Sequence, residues 1–253
     1  MLNNHIIEKL NKLKLSGISL GYKEQKNTSG FNEMSFDDRL SLLIDREELE
    51  RINRATSTRI NKAKFKKITA FEDVKISSAR GIDKSMIQTV TNTDWIKKKR
   101  NLIITGPSGC GKTFISTAIA HHACLMGFNC RYYRSSQLLS DLDGAKEEGK
   151  LRRFIDQLDK NHLLIIDDFF LSSINEINQK NLFELIEERH ESNSTIFTSQ
   201  NPVSLWHGLM PNPAIADAIL DRITNISIRI DLKGESLRKK QKENLDQESP
   251  VQA

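Results

Sequence analysis

The stretch Asn101-Leu-Ile-Ile-Thr-Gly-Pro-Ser-Gly-Cys-Gly-Lys-Thr113 restricts the folds open to this chain more than any other. A short apolar run turns into a glycine-rich loop that ends in Lys-Thr. Gly106, Gly109 and Gly111 lack a Cβ, so the loop can curl with its backbone N–H groups facing inward and form a nest for phosphate oxygens at the start of a helix. The cradle is expected to run through Gly106, Pro107, Ser108, Gly109, Cys110, Gly111, Lys112, Thr113 and Phe114. Lys112 supplies a mobile positive charge for the β- and γ-phosphates, and the Thr113 hydroxyl is a ligand for Mg²⁺. Cys110 reads as a small filler rather than a reactive thiol.

About fifty residues downstream, Leu163-Leu-Ile-Ile-Asp-Asp168 sets two carboxylates behind four apolar residues. A parallel strand buried on both faces reads as a continuous apolar run, and side chains at its C-terminal end enter the crevice where such sheets bind ligands. Asp167 is thus placed to hold Mg²⁺, and Asp168 to orient or polarise a water for attack on the γ-phosphate. Thr195-Ile-Phe-Thr-Ser-Gln200 is a further strand with a polar end, and Ser199 or Gln200 is expected beside the γ-phosphate. Cys130 to Tyr133 and Ile226 to Ile230 complete a set of strands alternating with helical segments. The fold class is therefore α/β, a parallel sheet flanked by helices.

Ahead of this core the spacing predicts a helix from Ile6 to Leu13, weakened at Gly17 and Gly21, and then a loop from Gln25 to Glu33. Ser35 with Asp38 reads as a capping box. It opens a longer helix with an apolar stripe at Phe36, Leu40, Leu43, Ile44, Leu49 and Ile52. Between Arg51 and Lys67 lie seven basic residues, Arg51, Arg54, Arg59, Lys62, Lys64, Lys66 and Lys67, and no acidic one. Such a run lacks the Glu that would support a helix through i,i+4 pairs, so it is read as a contact for DNA phosphates. A second basic cluster spans Lys97 to Arg100. Between Thr69 and Trp95 a softer pattern with a turn at Gly81 links the domains, with Trp95 as a packing anchor. Residues 1–68 are expected to form a helical, basic N-terminal domain, 69–245 the nucleotide-binding domain, and 246–253 a flexible tail.

At 253 residues the chain can bury a sizeable core, and its formal net charge of +5 favours a polyanionic partner. Cys110, Cys124 and Cys130 show neither C-x-x-C spacing nor an accompanying His cluster. No apolar run approaches a membrane span, and Asn3, Asn4 and His5 stand where a signal peptide needs charged and apolar regions. A soluble, cytoplasmic protein is expected.

Together the basic helical region, GPSGCGKT, LLIIDD, TIFTSQNP, PAIADAILDRI and LKGESLRKK resemble the IstB-like transposition helper ATPases, within the AAA+ superfamily and close to the DnaC-type helicase loaders. The likeness implies a five-stranded parallel core and a homo-oligomer with ATP and Mg²⁺ at its subunit interfaces. Duplex DNA and a transposase are the implied partners, or a replicative helicase in the loader alternative. By the same likeness Lys112 and Thr113 are the phosphate and metal residues, Asp167 the metal carboxylate and Asp168 the catalytic acid. Ser199 or Gln200 falls at sensor 1, Arg222 at the arginine finger offered to a neighbouring subunit, and Arg238 at sensor 2. Asp168 stands where many relatives have Glu, and Phe169-Phe170 where a glycine is frequent. A small-molecule kinase shares the phosphate loop, but no compact segment supplies its acceptor pocket and arginine-bearing lid. A nucleotide-gated binding module without turnover is the third reading.

Overall fold

The computed structural model describes residues 2–74, 77 and 80–234. Two compact units divide at Thr58 and Arg59. The expected boundary at 68 lies later in the chain, and the difference has a packing cause: Ala63 is fully buried in the core of the second unit, and Ile60 and Phe65 pack against it.

The first unit holds α1 (Leu2–Lys12), α2 (Ser16–Asn27), a 3₁₀ turn at Ser29–Glu33 and the start of α3 (Phe36–Ala63). Gly17 and Gly21 do not interrupt a helix; they lie inside α2, where α3 comes close. A Cβ at Gly17 would sit 2.5 Å from the Glu47 Cα, and one at Gly21 2.8 Å from a Leu43 methyl. The same approach lets Glu47 Oε2 accept from the Gly17 and Ile18 amides at 2.7 and 3.2 Å, satisfying two of the donors a helix N-terminus leaves unpaired. Ser35 caps α3, its hydroxyl accepting from the Asp38 amide at 3.1 Å. The stripe beyond it is not a core: Phe36, Leu40, Ile44, Leu49 and Ile52 are exposed.

The second unit is built on five parallel strands, β1 (Asn101–Thr105), β2 (Cys130–Arg134), β3 (Leu163–Asp167), β4 (Ser194–Ser199) and β5 (Ser227–Asp231), in the order β2-β3-β4-β1-β5. Successive side chains point to opposite faces. Leu102 and Ile104 of β1 and Ile165 of β3 enter one core, while Ile103, Ile166 and Phe197 enter the other. Both faces are covered, which is why these strands read as uninterrupted apolar runs. The first core is closed by α4 (Lys84–Thr91), α5 (Asp94–Lys97) and α6 (Lys112–Leu125), with Trp95 buried and its indole N–H donating to the Val90 carbonyl at 3.1 Å. The second is closed by α7 (Ser135–Glu147), α8 (Leu151–Asp159), α9 (Glu176–Arg189) and α10 (Pro213–Thr224). Asn212 caps α10 through the Ile215 amide, and Pro213 occupies its first turn. No helix among the described residues is long and apolar enough to cross a membrane.

The strand order decides the site. Because β4 lies between β1 and β3, the loop after β1 and the carboxylates ending β3 face each other across the end of β4.

Candidate nucleotide site

The phosphate loop leaves β1 through Gly106, Gly109 and Gly111, at φ values of +146°, +79° and +97°. Gly106 is required on two counts, since a Cβ there would also lie 2.5 Å from the Leu232 carbonyl oxygen. Cys110 is buried, as a filler residue should be. Lys112 is buried too, and its ammonium donates to the carbonyls of Gly106 and Pro107 at 2.7 and 2.9 Å. Those bonds hold it across the loop and leave one of its three protons for another acceptor. Phe114, one turn into α6, remains 36% exposed. A brace from outside the loop is Arg80, whose guanidinium donates to the Cys110 carbonyl at 2.7 Å. It sits beside Gly81, the turn residue at φ +79°.

Asp167 at the end of β3 is 3% exposed and receives three hydroxyls. Thr113 reaches Oδ1 and Oδ2 at 2.9 and 3.0 Å, Tyr132 donates to Oδ2 at 2.7 Å, and Thr198 donates to Oδ1 at 2.5 Å. These bonds fix the carboxylate in one orientation. Burial first, and the neighbouring Asp167 second, push the Tyr132 phenol well above its ordinary range, so it stays a hydrogen-bond donor. A carboxylate touching a Thr hydroxyl is the hard oxygen set that suits Mg²⁺, so Thr113 and Asp167 fit the metal role.

Asp168 points elsewhere. It takes a left-handed backbone conformation at φ +58°, donates its amide to the Thr198 hydroxyl at 3.1 Å, and accepts from Arg134 at 3.0 Å. Arg134 ends β2, and the hydrogen bond to Asp168 raises its pKa. Phe170 is also left-handed, at φ +49°, which for a bulky residue carries strain. Packing offsets it: Phe169 and Phe170 are buried against Phe197 and Trp206, with ring centroids 4.0 to 6.4 Å apart. Aromatic burial thus enforces the turn that a glycine would otherwise permit.

The two candidates at the end of β4 differ. Ser199 is fully buried and uses its hydroxyl on the Phe169 carbonyl at 2.7 Å, whereas Gln200 is half-buried just past the strand. The hydroxyl that reaches both acids is that of Thr198, one residue earlier. Tyr132, Arg134 and Thr198 therefore join the site without a sequence signal of their own. All three stand at or near strand ends, and only the strand order shows which ends meet.

Arg222 lies at the far end of the sheet. Asn101, the first residue of β1, donates to the carbonyls of Arg222 and Ile223 at 3.3 Å each, whereas the phosphate loop follows the last residue of β1. Five strand residues separate the two ends, roughly 16 Å. The Arg222 guanidinium pairs with Glu187, donates to the Ala218 carbonyl at 3.0 Å and lies over the Phe183 ring. Arg238 lies outside the described residues.

The basic stretch is less uniform than its composition suggests. Arg51 pairs with Glu47 at 2.8 Å and Arg54 with Glu50 at 3.7 Å, so the supporting i,i+4 acids are present one turn upstream of the acid-free run. Arg54 also bonds the Ser16 hydroxyl, and Arg59 donates to the Cys124 carbonyl at 3.0 Å. Lys62, Lys64, Lys66 and Lys67 are exposed and make no ion pair among the described residues.

The sequence profile of the family described as IstB-like ATP binding protein matches residues 8–245. A protein of Sinorhizobium fredii described as an insertion sequence ATP-binding protein, y4pL, is 38% identical over 242 residues, covering 96% of this chain and 99% of its own. An insertion sequence ATP-binding protein of Pseudomonas fluorescens is 37% identical over 205 residues, covering 81% and 89%. Among solved structures, the DnaC helicase loader superposes with a TM-score of 0.54 at 16% identity, over 67% of this chain and 98% of that one. AMPPCP-bound DnaA from Aquifex aeolicus gives 0.56 at 18%, over 73% and 56%. These two likenesses are of fold, that of the AAA+ P-loop proteins.

Proposed function

The chain belongs to the IstB-like ATP-binding family, and from that premise we propose that it is a Mg²⁺-dependent ATPase that helps an insertion sequence to transpose. In this reading it assembles on duplex DNA as a homo-oligomer with ATP at the subunit interfaces, in the cytoplasm, and recruits or regulates a transposase. The single observation that carries the composite site is the separation just described. Thr113, Asp167 and Asp168 stand at one end of the sheet and Arg222 at the other, beyond reach of the phosphates its own loop would hold.

The chemistry follows from the residues. The loop amides and Lys112 hold the β- and γ-phosphates, and Thr113 with Asp167 would hold Mg²⁺, which supplies charge neutralisation across those phosphates. Asp168, partly exposed and turned out of the sheet by its left-handed backbone, accepts a hydrogen bond from the attacking water and takes up its proton. Thr198 couples the two acids by bonding the side chain of one and the amide of the next. Gln200 extends from the same strand toward the γ-phosphate. Arg222 of a neighbouring copy stabilises the charge that spreads over the phosphoryl oxygens. Lys62, Lys64, Lys66 and Lys67 contact DNA phosphates, with Arg51, Arg54 and Arg59 in a supporting role because each already has an internal partner.

Helicase loading is the alternative. The relatives above 30% identity are described by insertion sequences, and the loader likeness rests on fold at 16% identity, which favours the transposition reading. Retention on duplex DNA with and without ATP over a range of salt tests it. Replacing the four lysines by Ala should flatten the log–log salt dependence by up to ~3.6, at ~0.9 per phosphate contact. ATP-independent, salt-insensitive retention would remove the DNA-assembly reading, and capture of a replicative helicase instead of a transposase would favour the loader.

A further inference from the structure

The lower end of the sheet carries a feature that the hydrolytic residues do not use. A cavity of about 250 Å³ opens beside the first residues of β1 and β4, and its lining includes Lys98, Lys99, Arg189, His190, Glu191 and Arg222. Arg189 is not available to a ligand. It is buried, its guanidinium is spent on the Thr195 hydroxyl and the carbonyls of Leu158, Asn161 and Ser194, and burial pulls its pKa down to about 10. Lys98 and Lys99 are exposed and make no ion pair among the described residues.

Their placement is fixed by the backbone. Lys99 has φ +57°, its amide donates to the Ile96 carbonyl and the Arg100 amide to the Trp95 carbonyl. This is the Schellman closure of α5, with lysine at the position glycine usually takes. Lysine holds this left-handed conformation at a cost that glycine would not incur. Arg222 lines the same cavity: its Nη1 donates to the Ala218 carbonyl, its Nε faces Glu187 without a well-formed hydrogen bond, and its Nη2 makes none among the described residues. Without the two lysines the Arg222–Glu187 pair leaves the mouth close to neutral. With them it is cationic, against one carboxylate, Glu191, that is 82% exposed at the rim.

We propose that Lys98 and Lys99 act with Arg222 as a three-cation clamp on the terminal phosphate of the ATP held by a neighbouring copy of this chain. This rests on the composite-site reading. The cavity is a solvent-open concavity with room for a compact anion. It also includes Arg222, which stands at the end of β1 opposite the phosphate loop. The terminal phosphate bonds Nη2 of Arg222 and draws Nε from Glu187, while the lysines supply the excess positive charge that makes the exchange favourable.

The test is subunit mixing. Lys98→Gln/Lys99→Gln protein should bind a fluorescent ATP analogue with wild-type affinity, which also reports its folding, and should release phosphate at least ~10-fold more slowly, the loss of one charge-assisted contact. Adding Asp168→Asn protein, which cannot turn over its own ATP but carries an intact cavity, should restore phosphate release. An Arg222→Ala protein mixed with the same partner tests the composite site by itself. If Arg222→Ala is rescued while the double lysine variant alone turns over like the wild type, the clamp is wrong and the composite site stands. If neither variant is rescued, the composite site fails and the clamp with it. Unchanged turnover with weakened, less salt-sensitive DNA retention would assign the lysines to DNA phosphate instead.

Discussion

At the C-terminal end of the sheet the charged groups are paired within one chain: Asp167 receives hydroxyls from Thr113, Tyr132 and Thr198, Asp168 faces Arg134, and Lys112 rests on loop carbonyls. At the N-terminal end Lys98 and Lys99 stand unpaired around Arg222, whose partner Glu187 occupies only part of its guanidinium. The first end is preorganised, its two carboxylates and two cations already held by partners within the chain. The second end is cationic, with exposed lysines that make no ion pair among the described residues. The two ends, roughly 16 Å apart, thus differ in how far their charges are already paired.

Several substitutions would break that comparison, beginning with the largest effect. Arg222→Ala should slow ATP turnover by about 10³-fold while leaving ATP affinity unchanged, measured by phosphate release against equilibrium binding. A loss smaller than about 10-fold would make the lower end structural. Asp168→Asn should lower turnover by at least about 10²-fold and trap ATP-loaded protein, visible as unhydrolysed nucleotide after rapid separation. Equal turnover would reduce the upper end to a binding site. Tyr132→Phe removes one of the three hydroxyls on Asp167 and should raise the Mg²⁺ needed for half-maximal nucleotide binding by about 10-fold, with kcat at saturating Mg²⁺ little changed. If kcat falls and the Mg²⁺ requirement does not move, Tyr132 acts through folding.

The smallest effect lies outside both ends and serves as their control. Glu47 in the first unit is held below its ordinary 4.5, first by the Arg51 hydrogen bond and then by the Ile18 and Gly17 amides, against the opposing effect of burial. A depressed carboxyl contributes stability above its unfolded value and loses it as pH falls through the folded one. Glu47→Gln should therefore melt roughly 4 °C lower at pH 7, with the gap closing as pH falls below the ordinary carboxyl value and ATP turnover unaffected. A gap that persists at low pH would assign the stabilisation to shape rather than charge.

Different parts of the site were legible to different degrees. Gly106 to Thr113 and Asp167-Asp168 could be read directly, because each is a contiguous run whose chemistry depends on neighbours in sequence. Thr198 was passed over for Ser199 and Gln200, since alternation along β4 decides which hydroxyl faces the acids and the outermost polar residue is not the one that does. In the sequence Gly17 and Gly21 weaken the helical pattern, whereas in the fold they are the positions inside α2 that admit α3. The apolar stripe of α3 predicts a buried face that the fold leaves exposed, because periodicity marks which residues share a face and not whether anything covers it. The acid-free count from Arg51 likewise missed Glu47 and Glu50, which reach forward by one helical turn.

What the sequence determined by itself is local: a glycine-rich loop ending in Lys-Thr, two adjacent carboxylates at a strand end, buried parallel strands, and helices between them. These rest on backbone freedom at three glycines and on periodicities of two and 3.6 residues, which a chain carries wherever it folds. What only the tertiary structure decided is juxtaposition. The order β2-β3-β4-β1-β5 brings Tyr132, Thr198 and Thr113 onto one carboxylate across separations of 35, 31 and 54 residues, and it sends Arg222 to the end of β1 opposite the phosphate loop. The reason is that strand order depends on which apolar faces pack best once all the strands exist, a property of the assembled core that no single segment encodes.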